Sequence, residues 1–345
     1  MSPALFCVCA GAVPERDGHS VAAMKAALYR ELGAAKDVLR VEELDRPSPG
    51  PGEVLVRVHA SGVNPTDWKA RSGATPMQVD SFQIPHHDGA GVIEGVGPGV
   101  SEARVGERVW VWYAAAGRRW GTAAEWTVVP SRQAVTLPPG ASFELGASIG
   151  VPAMTAHRCL FADGPVSGKT VLVAGGAGAV GHYAIELAKR AGARVVATVS
   201  GPQKAELAAK AGADPVLNYH DQDTVDRLKA FAPVVDRVVE VALGANLALD
   251  LAVSGPSTVV VTYAADGDDP VLPVRDCMTA NVTLRFVLLY RVPAPALDQA
   301  VTDISAALSD GALSELPVQR FALDEVAAAH EAVQAGALGK VIVTP

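Results

Sequence analysis

The stretch Thr170-Val-Leu-Val-Ala-Gly-Gly-Ala-Gly-Ala-Val-Gly181 constrains the fold of this chain more than any other. Buried-strand residues over Thr170–Ala174 run into a turn spaced Gly176-x-Gly178-x-x-Gly181, filled by Ala177, Ala179 and Val180, and helical spacing follows over His182–Ala191. Each glycine has a physical reason. Gly176 permits the tight turn, Gly178 lets the backbone approach a pyrophosphate, and Gly181 lets the helix pack closely on the strand. The helix N-terminus then offers unpaired N–H groups to phosphate charge. Such a spacing also arises by chance where glycine is abundant. The strand before it, the helix after it and a second strand at Val195 favour a dinucleotide loop over a structural turn.

The chain on either side fits that loop. Beyond Thr170–Ala174, strand patterns recur at Arg194–Val199, Pro215–Leu217, Asp236–Ala242, Ser257–Tyr263 and Val282–Leu288. Six strands alternating with helices predict a doubly wound α/β domain. Between Met24 and about Gly146 the pattern is different: Glu53–Ala60 alternates at period two, and Gly89–Val96, Glu107–Tyr113 and Ala124–Val129 are short strands between Pro/Gly turns. That predicts a small β-barrel-like domain. Past Arg291, helical segments over Ala294–Ser309 and Leu323–Ala335 lead to a last strand, Lys340–Val343, expected to return to the first domain. The expected division is residues 24–148, completed by 290–345, for the β domain and 149–289 for the nucleotide domain, behind a disordered extension over 1–23. A length of 345 residues suits two cores.

Composition excludes other classes. With 49% hydrophobic and 19% charged residues the chain has ample apolar surface to bury and is not intrinsically disordered. A net charge of −8, with no basic run longer than Arg118-Arg119, argues against a nucleic-acid partner. The most apolar stretch, Val238–Val253, is broken by Glu240, Asn246 and Asp250, so no membrane span is expected. The apolar run Ala4–Val13 lacks a positive segment ahead of it and reads poorly as an export signal. Cys7, Cys9, Cys159 and Cys277 fit neither a disulfide framework nor a zinc cluster, and are expected to be reduced thiols in a cytoplasmic protein.

The second strand argues which dinucleotide is bound. An NAD site usually ends that strand on a carboxylate for the ribose hydroxyls. Here Val195–Val199 runs into Ser200-Gly-Pro-Gln-Lys204. A hydroxyl and an ammonium suit a 2′-phosphate, so NADPH is expected over NADH. The alternative is that Lys204 only begins a solvated helix face.

These residues carry a family likeness. Ser61-Gly-Val-Asn-Pro-Thr-Asp67, His87-Asp-Gly-Ala-Gly-Val-Ile-Glu-Gly-Val-Gly97, Val105-Gly-Glu-Arg-Val109, the loop Ala174–Gly181 and the pair Asn218-Tyr219 resemble the signatures of the zinc-free quinone oxidoreductases, the zeta-crystallin-like group of the medium-chain dehydrogenase/reductase superfamily. The likeness runs from Met24 to Pro345. It implies a GroES-like β-barrel catalytic domain beside a Rossmann domain with a six-stranded parallel sheet, and a homodimer formed through the latter.

The resemblance also implies the site. Zinc-using relatives carry Cys where this chain has Asn64 and a His-Glu pair where it has His87-Asp88, and their third ligand falls near Val151. Asn cannot supply a thiolate, so a metal-free site is expected. Without zinc, alcohol oxidation is disfavoured and an activated acceptor, a quinone, is favoured. An enone or enoyl substrate is the alternative, and a cofactor-binding structural protein the non-enzymatic one. Asn64 is expected at the oxyanion or nicotinamide carboxamide, unless it only forms the turn before Pro65. Thr155 is expected near the nicotinamide ribose, unless it only caps a helix. Ser200, Lys204 and Tyr219 would surround the 2′-phosphate. Val241, Ala242, Tyr263, Phe286, Val287 and Leu288 would follow the cofactor along the strand ends, with Trp68 also at the cofactor and Lys340 towards the nicotinamide. Trp110, Trp112, Trp120 and Trp126 either stack an acceptor ring or fill the barrel core, core being the commoner use of such residues. Arg118-Arg119 is expected in a solvated loop, with an anionic substrate tail as the other use.

Overall fold

The computed structural model describes residues 22–75, 78–265 and 269–345. The 1–23 extension, with Cys7 and Cys9, therefore lies almost wholly outside the described residues. Short strands between tight turns build the first half: β1 (Ala23–Leu28), α1 (Ala35–Val38), β2 (Arg40–Asp45), β3 (Glu53–Val63), α2 (Pro65–Ser72), β4 (Asp88–Val96), β5 (Arg108–Val111), β6 (Trp126–Pro130) and β7 (Ala134–Thr136). The strand β3 is central, because it pairs antiparallel with β4 on one side and β6 on the other. Its alternating pattern sends Val54 and Val56 into a core with Ile93, Val109 and Val129.

A 19-residue helix, α3 (Phe143–Phe161), then leads to the second half. There β8 (Thr170–Ala174), α4 (Ala179–Arg190), β9 (Arg194–Val199), α5 (Pro202–Lys210), β10 (Val216–Asn218), α6 (Thr224–Phe231), β11 (Arg237–Glu240), α7 (Leu243–Val253), β12 (Val259–Thr262), α8 (Val274–Ala280) and β13 (Thr283–Phe286) alternate. The six strands are parallel in the order β10-β9-β8-β11-β12-β13. In sequence terms this is 3-2-1-4-5-6, the doubly wound order whose crevice lies where the direction of winding reverses, beside β8 and β11. Purely aliphatic strands such as Val171–Val173 are buried on both faces, as parallel sheets require.

The chain returns through α9 (Ala294–Ser309), β14 (Val318–Ala322), α10 (Val326–Gln334) and β15 (Lys340–Thr344). The strand β15 pairs antiparallel with β3 and parallel with β14. The last strand thus joins the first sheet, giving a GroES-like domain beside a Rossmann domain. The boundary expected at 148/149 falls inside α3, whose residues Ala147, Ile149, Ala153 and Met154 pack in a core shared with β8 and α4. Arg237, buried at the start of β11, ties the end of α3 to the sheet by donating to the carbonyls of Cys159 (3.0 Å) and Leu160 (2.6 Å).

Candidate active site

A cavity of about 1390 Å³ runs between the two domains, from the glycine turn after β8 to the start of α2. At one end the turn is shaped by the absence of side chains. Gly175 has φ +69, and a Cβ on Gly181 would lie 2.3 Å from the Gly175 carbonyl oxygen. The helix α4 begins at Ala179 with Gly178 as its cap and no side chain on its first N–H groups. Ala177, Gly178, Ala179 and Val180 line the cavity there. Such a cradle with a helix start aimed into it fits a pyrophosphate. Gly176 and Gly181 lie beneath it: a Cβ on Gly176 would meet Ala197 at 2.7 Å, so this glycine serves packing between sheet and helix.

At the tip of β9, Lys204 Nζ donates to Ser200 Oγ at 2.9 Å, and both line the cavity with Tyr219. Val241, Tyr263, Val287 and Leu288 line its floor at the strand ends. Ala242 is one residue off the lining, its N–H donating to the buried Glu240 carboxylate. Phe286 is 69% exposed at the outer edge strand and stands away from the cavity. Trp68 also falls outside the lining, half-buried with the Lys69 ammonium over its ring.

The opposite end is built by β3, β4, α3 and β15. Asn64, at the cap of α2, lines the cavity with Val151 and Thr155. Its Nδ2 donates to Asp88 Oδ2 at 2.7 Å, and its Oδ1 accepts from Lys340 Nζ at 2.7 Å. Its backbone N–H donates to Asp67 Oδ2 at 2.7 Å. Asp88 also accepts from the N–H of Val151, at 2.8 and 3.0 Å to its two oxygens. Lys340 therefore lies behind Asn64, outside the cavity lining, where the sequence reading sends it towards the cofactor itself. Thr155 is no helix cap: it sits in mid-α3 and donates to the Val151 carbonyl at 2.7 Å.

Burial dominates the electrostatics here. It pushes the Asp67 carboxyl up to about 8, with Asp88 adding to the rise and Lys340 and the Asn64 N–H opposing it. Asp88 rises to about 6, held down by Lys340 and Asn64. Lys340 is lowered by burial against the pull of Asp88 and Asp67.

His87, read from sequence as a packed or loop histidine, lines the cavity, with its ring centroid 5.0 Å from that of Tyr290. Burial lowers it to about 4. Tyr113 stacks on Tyr290 at 4.9 Å. His87 and Tyr290, with Tyr113 packed behind them, and not the tryptophans, form the aromatic wall. Trp110 and Trp112 are core, and no tryptophan lines the cavity among the described residues. Arg118 is bound to Glu53 and the Val128 carbonyl, so it is half-buried structure.

A catalytic zinc does not fit this arrangement. Asn64 and Val151 supply no thiolate, and the Asp88 oxygens already accept from Val151 and Asn64 with the Lys340 ammonium 4.0 Å away. Among the described residues no group of three or more His, Cys, Asp or Glu is placed to hold a metal ion.

Sequence reading missed Asp67, Asp88 and His87 as site residues. The signals that could have found them are the Asn64-x-x-Asp67 capping spacing and two glycines, Gly62 and Gly150, whose missing Cβ atoms leave room around Lys340 and Asp88.

Fold and site together define a nicotinamide-dependent oxidoreductase of two domains. Residues 50–139 match the alcohol dehydrogenase GroES-like domain and residues 179–306 the zinc-binding dehydrogenase family. The quinone oxidoreductase of Sus scrofa is 30% identical over 301 residues, covering 86% of this chain and 90% of that protein. That of Homo sapiens is 29% identical over 324 residues, covering 92% and 97%. A mycobacterial protein solved in complex with NADPH superposes with a TM-score of 0.81 at 30% identity, over 93% of this chain and 100% of that one. The chain belongs to the quinone oxidoreductase-like family of the medium-chain dehydrogenase/reductase superfamily. It is an oxidoreductase enzyme.

Proposed function

We propose that the protein is a metal-free, NADPH-dependent reductase acting on a quinone. The observation that carries this reading is the end of the cavity at Asn64, where an amide backed by a buried ammonium stands in place of a metal-ligand set. When bound, the dihydronicotinamide supplies a hydride, and the reduced acceptor takes one further proton from water. The protein's own part is to bind, orient and exclude solvent. The 149–289 segment holds the dinucleotide, and the 24–148 and 290–345 segments form the acceptor side. Thr155 and Val151 border the ring end, and the wall of His87 and Tyr290 offers flat surface to an aromatic acceptor. An enone is the second reading, because it too accepts hydride without a metal.

The test follows NADPH absorbance with quinones, enones and simple alcohols. Quinone turnover supports the reading, turnover confined to enones moves it to the second, and oxidation of alcohols overturns the metal-free site.

The cofactor choice rests on Lys204 and Ser200. A charge-assisted contact to the 2′-phosphate is worth about 1.5–3 kcal/mol. Lys204→Ala is therefore expected to raise KM for NADPH roughly tenfold or more while leaving that for NADH almost unchanged. Equal changes for both would remove the assignment.

No helix among the described residues is long and apolar enough to cross a membrane, and a small-molecule substrate in the cytoplasm fits the reading. We further assign homodimer formation to the edge strand β13 and helix α8, where Val274, Met278 and Phe286 are 62%, 69% and 69% exposed. An unpaired strand edge flanked by apolar side chains invites a second copy. Phe286→Asp is expected to convert the dimer to monomer in light scattering, and an unchanged mass would reject this surface.

A further inference from the structure

We propose that Lys340 is a positioning residue that locks the Asn64 amide, so that the cavity meets its N–H and not its carbonyl oxygen. Asn64 then serves as a hydrogen-bond donor to negative charge developing on the acceptor. An asparagine side chain is a donor at one end and an acceptor at the other, and its orientation is set by its neighbours. Here the neighbours are unambiguous. Lys340 Nζ, a donor without acceptor capacity while protonated, lies 2.7 Å from Oδ1. Asp88 Oδ2 accepts from Nδ2 at 2.7 Å, and the same carboxylate is anchored by the Val151 N–H. Turning the amide over would set its NH₂ against the ammonium and its oxygen against the carboxylate. Both contacts would become repulsive.

The backbone is built to admit this pair. A Cβ on Gly62 would lie 1.9 Å from the Ala147 carbonyl oxygen and 3.1 Å from Lys340 Cε, so β3 leaves the channel through which the lysine reaches Asn64. A Cβ on Gly150 would lie 2.2 Å from Asp88 Oδ1. Asp67 fixes the third point by accepting from the Asn64 backbone N–H. With Oδ1 taken by Lys340 and one Nδ2–H taken by Asp88, the second Nδ2–H is what Asn64 has left to give. An amide free to turn could equally present its oxygen, and the lock makes the N–H end the one aimed at the cavity. A fixed donor facing a developing oxyanion costs no reorganisation when the charge forms.

The inference rests on the reading that hydride passes to an activated acceptor, so its test includes a measurement that needs no turnover. Pentafluorophenolate, anionic at neutral pH, serves as an oxyanion probe on the NADP⁺-loaded full-length enzyme, with uncharged pentafluoroanisole as control. NADPH affinity is measured separately by fluorescence. Asn64→Leu, close in size to the amide, has no N–H to offer and no charge of its own to repel the probe, and it leaves Lys340 and Asp88, 4.0 Å apart, to pair with each other. It is expected to bind NADPH within about twofold of wild type, to lose phenolate affinity tenfold or more, and to lose roughly 10²–10³ in kcat. Lys340→Met is expected to weaken phenolate selectively over anisole, and Lys340→Gln, which can still donate to Oδ1, to restore part of it. Phenolate binding by Asn64→Leu at the wild-type level would overturn the proposal. So would a fall in NADPH affinity that accounts for the fall in kcat, because Asn64 would then be holding the cofactor. A wild type that reduces neither quinones nor enones would end the functional reading, and the phenolate comparison would still decide the lock.

Discussion

Gly181→Ala is expected to lose NADPH affinity by about a hundredfold or more and to melt below the wild type. The new Cβ would lie 2.3 Å from the Gly175 carbonyl oxygen, 2.9 Å from Gly176 Cα and 3.0 Å from the Gly175 carbonyl carbon. All three are backbone atoms, so no side chain can swing away. The turn cannot open freely either, because Gly175 is already left-handed at φ +69 and Gly176 is wedged against Ala197 and Ile185. The strain must therefore lift α4 from β8, at about 1–3 kcal/mol for overpacking of this kind. Lifting α4 also displaces the N–H groups of Ala179 and Val180 from the cradle. Two charge-assisted hydrogen bonds at about 1.5–3 kcal/mol each supply the expected loss of binding. Gly178→Ala is the control. Its Cβ would meet nothing closer than the Gly175 oxygen at 3.4 Å, so it is expected to weaken NADPH binding through the approach of the pyrophosphate and leave the melting temperature unchanged. Fluorescence titration with thermal melts separates the two. A Gly181→Ala protein that binds NADPH normally would show that the tight turn is not what shapes the cradle.

The glycine turn could be read from sequence because its logic is local: strand, turn and helix adjoin, and each glycine answers to an atom a few residues away. The alternation that built β3, β4 and the parallel strands was legible for the same reason. The convergence on Asn64 was not. Asp88 is 24 residues away and Lys340 is 276, and they meet only because β15 returns to pair with β3. Sequence could send the last strand back to the first domain, but not say which side chain Lys340 would touch. The helix α3 was hidden differently. Gly146, Gly150 and Pro152 are poor helix formers, so the sequence shows a change of pattern at about Gly146 where the structure has one helix from Phe143. There tertiary burial overrides propensity. Phe286 was misjudged by position alone: it is the last residue of the edge strand, where the side chain is turned outward.

Asp67→Asn is expected to stabilise the protein by an amount that grows as pH rises from about 4 to about 8 and is smallest in acid. The Asp67 carboxyl is buried beside Asp88 and stands at about 8 against an ordinary 3.8. Between those values the folded protein keeps a proton that the unfolded chain releases. Folding stability therefore falls as pH rises towards 8, at about 1.4 kcal/mol per pH unit for one whole proton. Asp88, raised to about 6, has the same sign over a lower range. The buried histidines act oppositely. His86, His87 and His330 are all lowered by burial, so the unfolded chain takes up protons below about 6.5 that the folded form refuses, and stability falls as pH falls. The acid flank thus belongs to the histidines and the alkaline flank to Asp67. Lys340, lowered by burial, has the sign of the histidines but is present in both proteins, so the comparison removes most of its effect. An asparagine at this position carries no charge to bury, and its carbonyl can still accept from the Asn64 N–H that Asp67 now takes. Urea unfolding at pH 5.5, 7 and 8.5 checks this. The variant is expected to gain about 3 kcal/mol over the wild type between the first and last of these. Parallel pH profiles for the two proteins would mean that Asp67 is ionised in the folded state at neutral pH, held there by Lys340 and the N–H groups around it.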